Sequence, residues 1–164
     1  MKILVISDTH IPRVADDLPA EIYKAIETSD MILHAGDFVE KELLQKLKSL
    51  RPTVAVYGNM DSTALRSTLN EKEVITAKDF RIGLIHGYGS PADLMATVKK
   101  EFRNVDAVVF GHSHAPTNIV NDGILFFNPG SPTDRIFAKS NTYGMLDVTD
   151  KNISGRIITI NASR

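Results

Sequence analysis

Short apolar runs alternate with amphipathic segments over the first third of the chain. The runs are rich in β-branched residues and predict strands at residues 2–7, 31–35 and 53–57. Apolar positions with helical spacing predict helices between these strands, at residues 19–29 and 40–50. In the second helix the buried stripe should comprise Leu43, Leu44, Leu47 and Leu50. This alternation of strand and helix is typical of an α/β fold with parallel strands.

The pattern changes in the rest of the chain. After a short helical segment at residues 62–69, two strands joined as a hairpin by Lys78 and Asp79 are predicted at residues 73–77 and 80–87. A helix capped by Ser90 should then lead to a further strand, with bounds of 90–103 and 106–110. The remaining apolar runs are linked by turn residues with no room for helices, so they predict a meander at 117–120, 124–127, 142–148 and 153–160.

Composition limits the class of protein. The chain has 164 residues, of which 43% are hydrophobic, so it can build one substantial core, and we expect a single domain over residues 1–164 with the layers of an α/β sandwich. A net charge of -1 gives no large basic surface for long nucleic acid. The N-terminal apolar run is too short for a secretion signal or a membrane span. We therefore expect a cytoplasmic protein with no membrane partner.

Residue types that bind metal ions follow five of the predicted strands. They are Asp8 and His10, Gly36-Asp37, Gly58-Asn59, His86-Gly87, and Gly111 followed by His112 and His114. The chain has no cysteine, so a metal would be held by nitrogen and oxygen atoms. Because the ends of parallel strands converge on one edge, these donors should share one crevice. Seven donors exceed the need of one ion and suit two ions about 3.5–4 Å apart, bridged by a carboxylate and a water.

Each of these residues also has an ordinary structural interpretation. Alone, Asp8 could form a turn, Asp37 could cap a helix, Asn59 could occupy a left-handed turn position, and His86 could be a hydrogen-bonded core histidine. Their recurrence at five strand ends, in order, favours a metal centre. Four glycines in the same motifs would permit close approach of the backbone, namely Gly36, Gly58, Gly87 and Gly111.

The ordered series of these motifs, from Asp8 to His114, resembles the calcineurin-like metallophosphoesterases. The segment Asn128 to Ser131, "NPGS", extends the resemblance to the short, single-domain phosphodiesterase branch of that family. The resemblance implies a layered α/β/β/α sandwich of two mixed sheets flanked by helices. It also implies that Asp37 bridges two ions, one held by Asp8, His10, Asp37 and His114, and the other by Asp37, Asn59, His86 and His112.

The function implied by this constellation is hydrolysis of small phosphodiesters. Two divalent ions lower the pKa of a bridging water, and the resulting hydroxide attacks phosphorus in line with the leaving group, so no protein nucleophile is required. In this scheme Asp37 and Asn59 take part in catalysis, and Asn59 also contacts the substrate. The ligand types suit Mn, Fe, Zn, Ni or Mg, among which we prefer Mn.

One position departs from the wider family. Many members place a histidine beside the leaving group, between the asparagine and the acidic residue of the third motif, where this chain has Met60 in "GNMD". A thioether cannot donate a proton, so substrates whose leaving group departs without help are favoured. Two roles remain open for Asp61: organising this loop with a part in catalysis, or capping the segment that starts at Ser62.

Other classes of function must be weighed against this one. A branch with the same fold has lost ligands and serves as a protein-binding scaffold of a membrane-coat complex, whereas every implied ligand position here holds a competent residue. A phosphomonoesterase, a protein phosphatase or a nuclease of the superfamily is a further alternative. The segment "GDFVEKE" lacks the arginine of protein phosphatases, and the chain is short for a repair nuclease. A homodimer or higher homo-oligomer stays open.

Several residues near the motifs have supporting interpretations. His34 is expected to be a hydrogen-bonded residue behind the ligands. Asn128 and Ser131 are expected to shape a turn near the histidine loop, with direct contact to the substrate as their alternative. The aromatic residues beside the motifs are expected in the core or at the edge of the cleft, as is usual at strand ends, with a place in the lining of the substrate cleft as their alternative; these are Phe38, Tyr57 and Tyr88. Arg135 is expected to be a surface residue, with contact to a phosphate as its alternative.

Overall fold

The computed structural model describes residues 1–134 and 136–161, so the prediction for Arg135 lies outside the described residues. The helices are α1 (Ala20–Glu27), α2 (Lys41–Leu50), α3 (Thr63–Arg66) and α4 (Leu94–Lys100). The strands are β1 (Lys2–Ile6), β2 (Met31–His34), β3 (Thr53–Ala55), β4 (Lys72–Ala77), β5 (Phe80–Ile85), β6 (Ala107–Val109), β7 (Thr117–Asn121), β8 (Ile124–Asn128), β9 (Thr142–Val148) and β10 (Ile153–Thr159).

The strands form two five-stranded sheets, in the orders β10-β9-β1-β2-β3 and β4-β5-β6-β8-β7. Both sheets are mixed, because β1 pairs parallel with β2 and antiparallel with β9, while β5 pairs parallel with β6 and antiparallel with β4. The predicted hairpin of β4 and β5 is confirmed. The predicted meander is wrong: β7 and β8 complete the second sheet, whereas β9 crosses to the first sheet and lies beside β1.

Alternation along β1 explains the layered packing. Ile3 and Val5 point into a core between the two sheets, and Leu4 and Ile6 point to the opposite face, where α1 and α2 pack. A third apolar cluster lies between the second sheet and α4, and includes Val98 and Phe126. The strand reads as a continuous apolar run because both of its faces are buried. The predicted α/β/β/α sandwich is therefore confirmed.

Two details of the predicted helices are wrong. Leu43, Leu44 and Leu47 of α2 are buried as predicted, but Leu50 is 43% exposed because it is the last residue of the helix and lies beyond the contact with the sheet. Ser90 does not cap α4. Its carbonyl accepts a hydrogen bond from the backbone N–H of Asp93, which closes a turn, and the helix begins only at Leu94.

Both sheets bring strand ends to the candidate site. The loops after β1, β2 and β3 come from the first sheet, and those after β5 and β6 come from the second. The convergence predicted for one parallel sheet is thus produced by two sheets packed face to face. No helix within the described residues is long and apolar enough to cross a membrane. Cytoplasmic location and the single-domain organisation stay predictions.

Candidate metal centre

The predicted ligands occupy unusual backbone conformations directly after the strands. Five of the seven have a positive φ, a region that residues other than glycine rarely adopt; they are Asp8, His10, Asp37, His112 and His114. Each such conformation costs on the order of 1–3 kcal/mol, and such residues cluster at functional sites. The chain turns sharply at each of these positions. Their side chains are thereby directed back over the strand ends and toward one another.

One group of donors combines the first and the last of the predicted motifs. Nε2 of His114 lies 3.3 Å from Oδ1 of Asp8 and 3.2 Å from Nε2 of His10. Asp8 is fully buried, and His10 is only 9% exposed. These three residues place one donor atom each within 4.8 Å of the others, which is close enough to hold a single ion.

A second group lies beside the first. Oδ2 of Asp37 is 3.4 Å from Nε2 of His86, and the same oxygen is 3.8 Å from Nε2 of His10 in the first group. Oδ1 of Asn59 lies 3.1 Å from Nε2 of His86 and 3.2 Å from Nδ1 of His112. Asp37 therefore lies between the two groups, where a bridging ligand is needed.

Asp8 also contacts both groups. Its Oδ1 is 3.9 Å from Nε2 of His86, in addition to the contact with His114, and Asp8, Asp37 and His86 form a second set that could hold an ion. The family resemblance implied that Asp8 would bind one ion alone. The geometry thus places two carboxylates between the histidines rather than one.

Hydrogen bonds fix which ring nitrogen of three histidines faces the cluster. A carbonyl oxygen only accepts, so His86 donates from Nδ1 to the carbonyl of Ala35, and His112 donates from Nε2 to the carbonyl of Gly89. His114 donates from Nδ1 to the carboxylate of Asp134. In the neutral rings the remaining nitrogen carries a lone pair directed at the cluster. This arrangement of ligand and outer partner is the usual one for histidines that bind metal ions.

One buried atom in the cluster lacks a hydrogen-bond donor. Within residues 1–134 and 136–161, Oδ1 of Asp8 has no hydrogen bond, although the residue is fully buried. An ionised carboxylate without a partner is costly in such a place, and a cation would satisfy it. The lone pairs of Asn59, His86 and His112 also point toward one another, and a cation between them would satisfy them as well. The residues present therefore fit divalent metal ions.

The charges of the cluster favour positive ions. Burial by itself would raise the pKa of Asp8, but the neighbouring imidazoles of His114 and His86, as positive charges, outweigh it and lower that pKa. Burial would lower the pKa of His86, yet Asp37 and Asp8 raise it to about 9. Both carboxylates thus stay ionised. Their field attracts a cation, whether a proton on the imidazole or a metal ion in its place.

Asp61 has the first of the two roles left open for it, that of organising the loop. Its Oδ2 accepts hydrogen bonds from the backbone N–H groups of Asp37 and Gly58, and its Oδ1 accepts one from Val39. The cap of α3 is Ser62, whose side chain accepts from the backbone N–H of Leu65. Asp61 therefore ties the loop after β2 to the loop after β3. A direct part for Asp61 in catalysis stays a prediction.

Glycine is required where these loops touch. A Cβ added at Gly58 would collide with Oδ1 of Asp37, and one added at Gly111 would collide with the side chain of Ser7 beneath Asp8. Gly36 has a positive φ, and a Cβ there would lie 2.8 Å from the backbone N of Gly58. Gly87 also has a positive φ, but its near neighbours are the side chains of Leu94 and Val98 in α4. The close approach between ligand-bearing loops is thus present at Gly36, Gly58 and Gly111.

Sequence reasoning missed Asp134. Its carboxylate accepts the hydrogen bond from Nδ1 of His114 and further ones from the backbone N–H groups of Ile136, Phe137 and Ala138. Burial would raise its pKa, but the hydrogen bonds from His114 and from the backbone of Ile136 and Phe137 lower the pKa to about 2. No motif marks this residue. Its position three residues after Ser131 of the "NPGS" segment was the only available signal.

The "NPGS" segment shapes the loop beneath the histidines, as predicted. Nδ2 of Asn128 donates to the carbonyl of Gly111 at 2.8 Å, and its Oδ1 accepts from the backbone N–H of Gly130. Ser131 donates from its hydroxyl to the carbonyl of Asp8 at 2.7 Å and accepts from the backbone N–H of Asp134. These contacts lock the segment against two of the ligand-bearing loops.

His34 lies behind the ligands, as predicted. Its Nδ1 accepts from the backbone N–H of Gly36, which leaves Nε2 to donate to the hydroxyl of Thr9, and that hydroxyl donates to the carbonyl of Asp37. Burial holds the pKa of His34 well below its usual value. The fully buried ring stacks on Phe38, with 3.4 Å between ring centroids. A neutral His34 thus supports the loop after β2 at Gly36 and, through Thr9, the backbone carbonyl of the predicted ligand Asp37.

An open cleft of about 410 Å³ lies above the cluster. The candidate ligands that line it, together with those buried beneath them, are called the floor. The exposed side chains of Ile136 and Phe137 stand at its mouth and are called the rim. Met60 lines the cleft as well and is 40% exposed. The predicted supporting aromatics lie outside this cleft, since Phe38 is buried and Tyr57 and Tyr88 border a neighbouring groove.

A two-sheet sandwich with a carboxylate and histidine cluster at its strand ends defines a metal-binding phosphoesterase fold, and comparison with known proteins agrees. The chain belongs to the calcineurin-like phosphoesterase superfamily, whose domain model matches residues 1–151. This family binds divalent metals. Over 138 residues the chain is 40% identical to a probable metallophosphoesterase of Methanocaldococcus jannaschii, covering 81% of this chain and 69% of that protein. The predicted family is therefore confirmed.

Solved structures show the same fold. A structure of an archaeal phosphodiesterase is similar with a TM-score of 0.71 at 26% identity, covering 96% of this chain and 100% of that one. A structure of Vps29 from Entamoeba histolytica in complex with Zn²⁺ is similar with a TM-score of 0.75 at 25% identity, covering 98% and 100%. The neighbours thus include both an enzyme and a protein of the vacuolar sorting group.

Proposed function

We propose that this protein is a phosphodiesterase that requires two divalent metal ions and hydrolyses small phosphodiesters. The observation that carries the proposal is the floor, where all seven predicted donors converge and a buried carboxylate oxygen of Asp8 has no donor within the described residues. Similarity to a probable metallophosphoesterase and to an archaeal phosphodiesterase supports the same activity.

The proposed ligands divide into two sets that share Asp37. Asp8, His10 and His114 would hold one ion with it, and Asn59, His86 and His112 would hold the other. The position of Oδ2 of Asp37, within 3.8 Å of His10 and 3.4 Å of His86, supports the sharing. Manganese is the proposed metal, and Fe, Ni, Zn and Mg suit the same nitrogen and oxygen donors.

When bound, the two ions would supply the chemistry of an activated water near neutral pH and of charge neutralisation at the phosphate oxygens. The residues of the chain hold the surrounding groups in place. Oδ1 of Asn59 faces two histidines, so its Nδ2 is directed away from them, where it can donate a hydrogen bond to a phosphate oxygen. Oδ1 of Asp37 accepts from the backbone N–H of Met60 at 2.7 Å, which fixes the carboxylate and the loop together.

The leaving group receives no proton from Met60. Its side chain lines the cleft at the position of the family's histidine, and a thioether has no proton to give. Substrates with a weakly basic leaving group, such as an aryl oxide, should therefore react faster than those that release an alkoxide. This preference favours phosphodiesters with a good leaving group over alkyl monoesters.

The proposal is tested with protein stripped of metal by a chelator and then reloaded with Mn²⁺. We expect turnover of bis(p-nitrophenyl) phosphate only after reloading, together with about two ions per chain by elemental analysis. The matched control is Asp17→Asn, which removes an exposed carboxylate paired with Lys46 and should hydrolyse the ester normally. Full turnover in excess chelator would exclude the metal mechanism. Two bound ions without turnover of any diester would favour the non-catalytic scaffold.

A further inference from the structure

The rim exposes two large apolar side chains next to each other. Ile136 is 76% exposed and Phe137 is 78% exposed, and both line the mouth of the cleft above the floor. Met60 adds a third apolar side chain to the same cleft. Single exposed apolar residues are common, but adjacent ones that border a concave site usually mark a place where a ligand binds.

Hydrogen bonds hold the rim in place although its side chains are exposed. The carboxylate of Asp134 accepts from the backbone N–H groups of Ile136 at 2.7 Å, Phe137 at 3.1 Å and Ala138 at 2.8 Å. Nδ2 of Asn141 donates to the carbonyl of Asp134 at 2.8 Å. A surface that is fixed before binding loses less conformational entropy when a ligand arrives.

The rim lies within reach of a substrate at the floor. The ring of Phe137 meets the ring of His114 edge-on, with 6.0 Å between their centroids and an angle of 79° between their planes. Since His114 is a proposed metal ligand, a phosphate bound there would carry one of its substituents against Phe137. Aromatic rings attract one another at centroid distances of about 4.5–7 Å in edge-on or offset arrangements.

The size of the cleft favours a small molecule as the occupant. Its volume of about 410 Å³ falls within the range of roughly 300–1,000 Å³ typical of small-molecule sites. The cleft is continuous with the floor, so the molecule that fills it should carry the phosphate that the floor binds. The apolar side chains at its mouth require an apolar part on that molecule.

We propose that the rim selects phosphodiesters in which the substituent that stays on the phosphate, opposite the leaving group, is a flat aromatic ring, and that Phe137 makes the principal contact with that ring. This inference rests on the proposed function, because the floor must hold the phosphate. Nucleotide-like and simple aryl diesters both combine a phosphodiester with a flat aromatic ring. Phe137 is thus a specificity residue that contacts substrate and takes no part in proton transfer.

The kinetic test uses two diesters with the same leaving group, phenyl p-nitrophenyl phosphate and methyl p-nitrophenyl phosphate. In Phe137→Ala we expect kcat/KM for the phenyl ester to fall roughly 5- to 30-fold, while the methyl ester changes less than about 2-fold. Val120→Ala, on the exposed face of β7, is the control and should leave both values unchanged. Equal losses for both esters, or no loss, would overturn the inference while leaving the proposed function intact.

A binding measurement separates the inference from catalysis. Calorimetry should show that metal-loaded protein binds phenylphosphonate more tightly than methylphosphonate, and that Phe137→Ala removes the difference. If neither diester is hydrolysed but this difference is present, the proposed function fails and the aromatic preference of the rim stands. Equal binding of the two phosphonates by the wild-type protein would overturn the preference, and the rim would then face another kind of partner.

Discussion

The floor and the rim of the cleft border each other but are built in opposite ways. The floor consists largely of buried charged and polar side chains, held by loops whose backbone is left-handed at five of the seven proposed ligands. The rim consists of exposed apolar side chains, held by hydrogen bonds from its backbone to one carboxylate, that of Asp134. The contrast separates two tasks: the floor suits metal ions and a phosphate, and the rim suits the organic part of a substrate.

Asp134 connects these two regions. One of its oxygens accepts from Nδ1 of His114 in the floor, and both accept from amides of the rim. A change at the floor should therefore remove turnover for every substrate, whereas a change at the rim should alter only the choice among substrates. A change at Asp134 should affect both properties.

The largest effect is expected when the floor loses its shared carboxylate. Asp37→Asn should bind both ions weakly and lower turnover of an aryl diester roughly 10³-fold, because metal ions supply several kcal/mol of transition-state stabilisation. Metal titration by calorimetry and initial rates measure the two effects.

The comparison variant for this prediction is Asp8→Asn. We expect it to weaken mainly the ion held by His10 and His114, even though Oδ1 of Asp8 also lies 3.9 Å from His86. If both variants lose the same single ion, Asp37 is not the shared ligand. Circular dichroism spectra matching the wild type are required of both variants, since both residues are buried.

A smaller effect is expected at Met60, which lines the cleft and cannot donate a proton. Met60→His should accelerate hydrolysis of alkyl phosphodiesters, since an imidazole can protonate an alkoxide, and should change p-nitrophenyl esters little. General acid catalysis contributes about 10²–10⁴-fold. We expect the lower end of this range, because Asp61 already accepts three hydrogen bonds from backbone N–H groups and has little remaining capacity to orient the new ring.

The measurement for Met60→His is the ratio of kcat/KM for alkyl over aryl diesters across pH, in the wild type and the variant. Met60 is partly exposed, so the imidazole has space. An unchanged ratio with intact metal content would show that protonation at this position does not set substrate preference.

The smallest effect is expected at the link between floor and rim. Asp134→Asn removes the charge that orients His114 and one of the two acceptor oxygens, so metal affinity should fall about 10-fold, the low end for loss of an outer partner of a metal-binding histidine. Preference for the phenyl over the methyl diester should fall as well. Asp122→Asn, at an exposed ion pair with Lys99, is the control. If the variant loses metal affinity but keeps its full preference for the phenyl diester, Asp134 does not control the position of the rim.

Sequence reasoning reached the floor because its donors follow strands directly. The apolar runs that end at Ile6 and Val109 locate Asp8 and His112 to within a few residues. Because strand ends converge on one edge, these donors are then predicted to lie in the same cleft. The same reasoning could not assign strands to sheets. The crossing of β9 from the second sheet to the first depends on long-range packing against β1, which no local pattern records.

The rim could not be predicted from the sequence, for a different physical reason. Ile136 and Phe137 read as ordinary apolar residues in a stretch without periodicity, and the conformation of their backbone is held by hydrogen bonds to Asp134. A hydrogen bond between a side chain and backbone two or three residues away leaves no mark on the hydrophobic pattern. The misplaced cap at Ser90 has a related cause, since a serine that closes a turn and one that caps a helix look alike in sequence.

The most direct test of the metal centre is a crystal structure of the protein soaked in Mn²⁺, with anomalous differences measured at the manganese absorption edge. We predict two peaks about 3.5–4 Å apart, with the carboxylate of Asp37 between them, Asp8, His10 and His114 around one, and Asn59, His86 and His112 around the other. A single peak, or two peaks that share no ligand, would contradict the dinuclear floor on which the proposed phosphodiesterase activity depends.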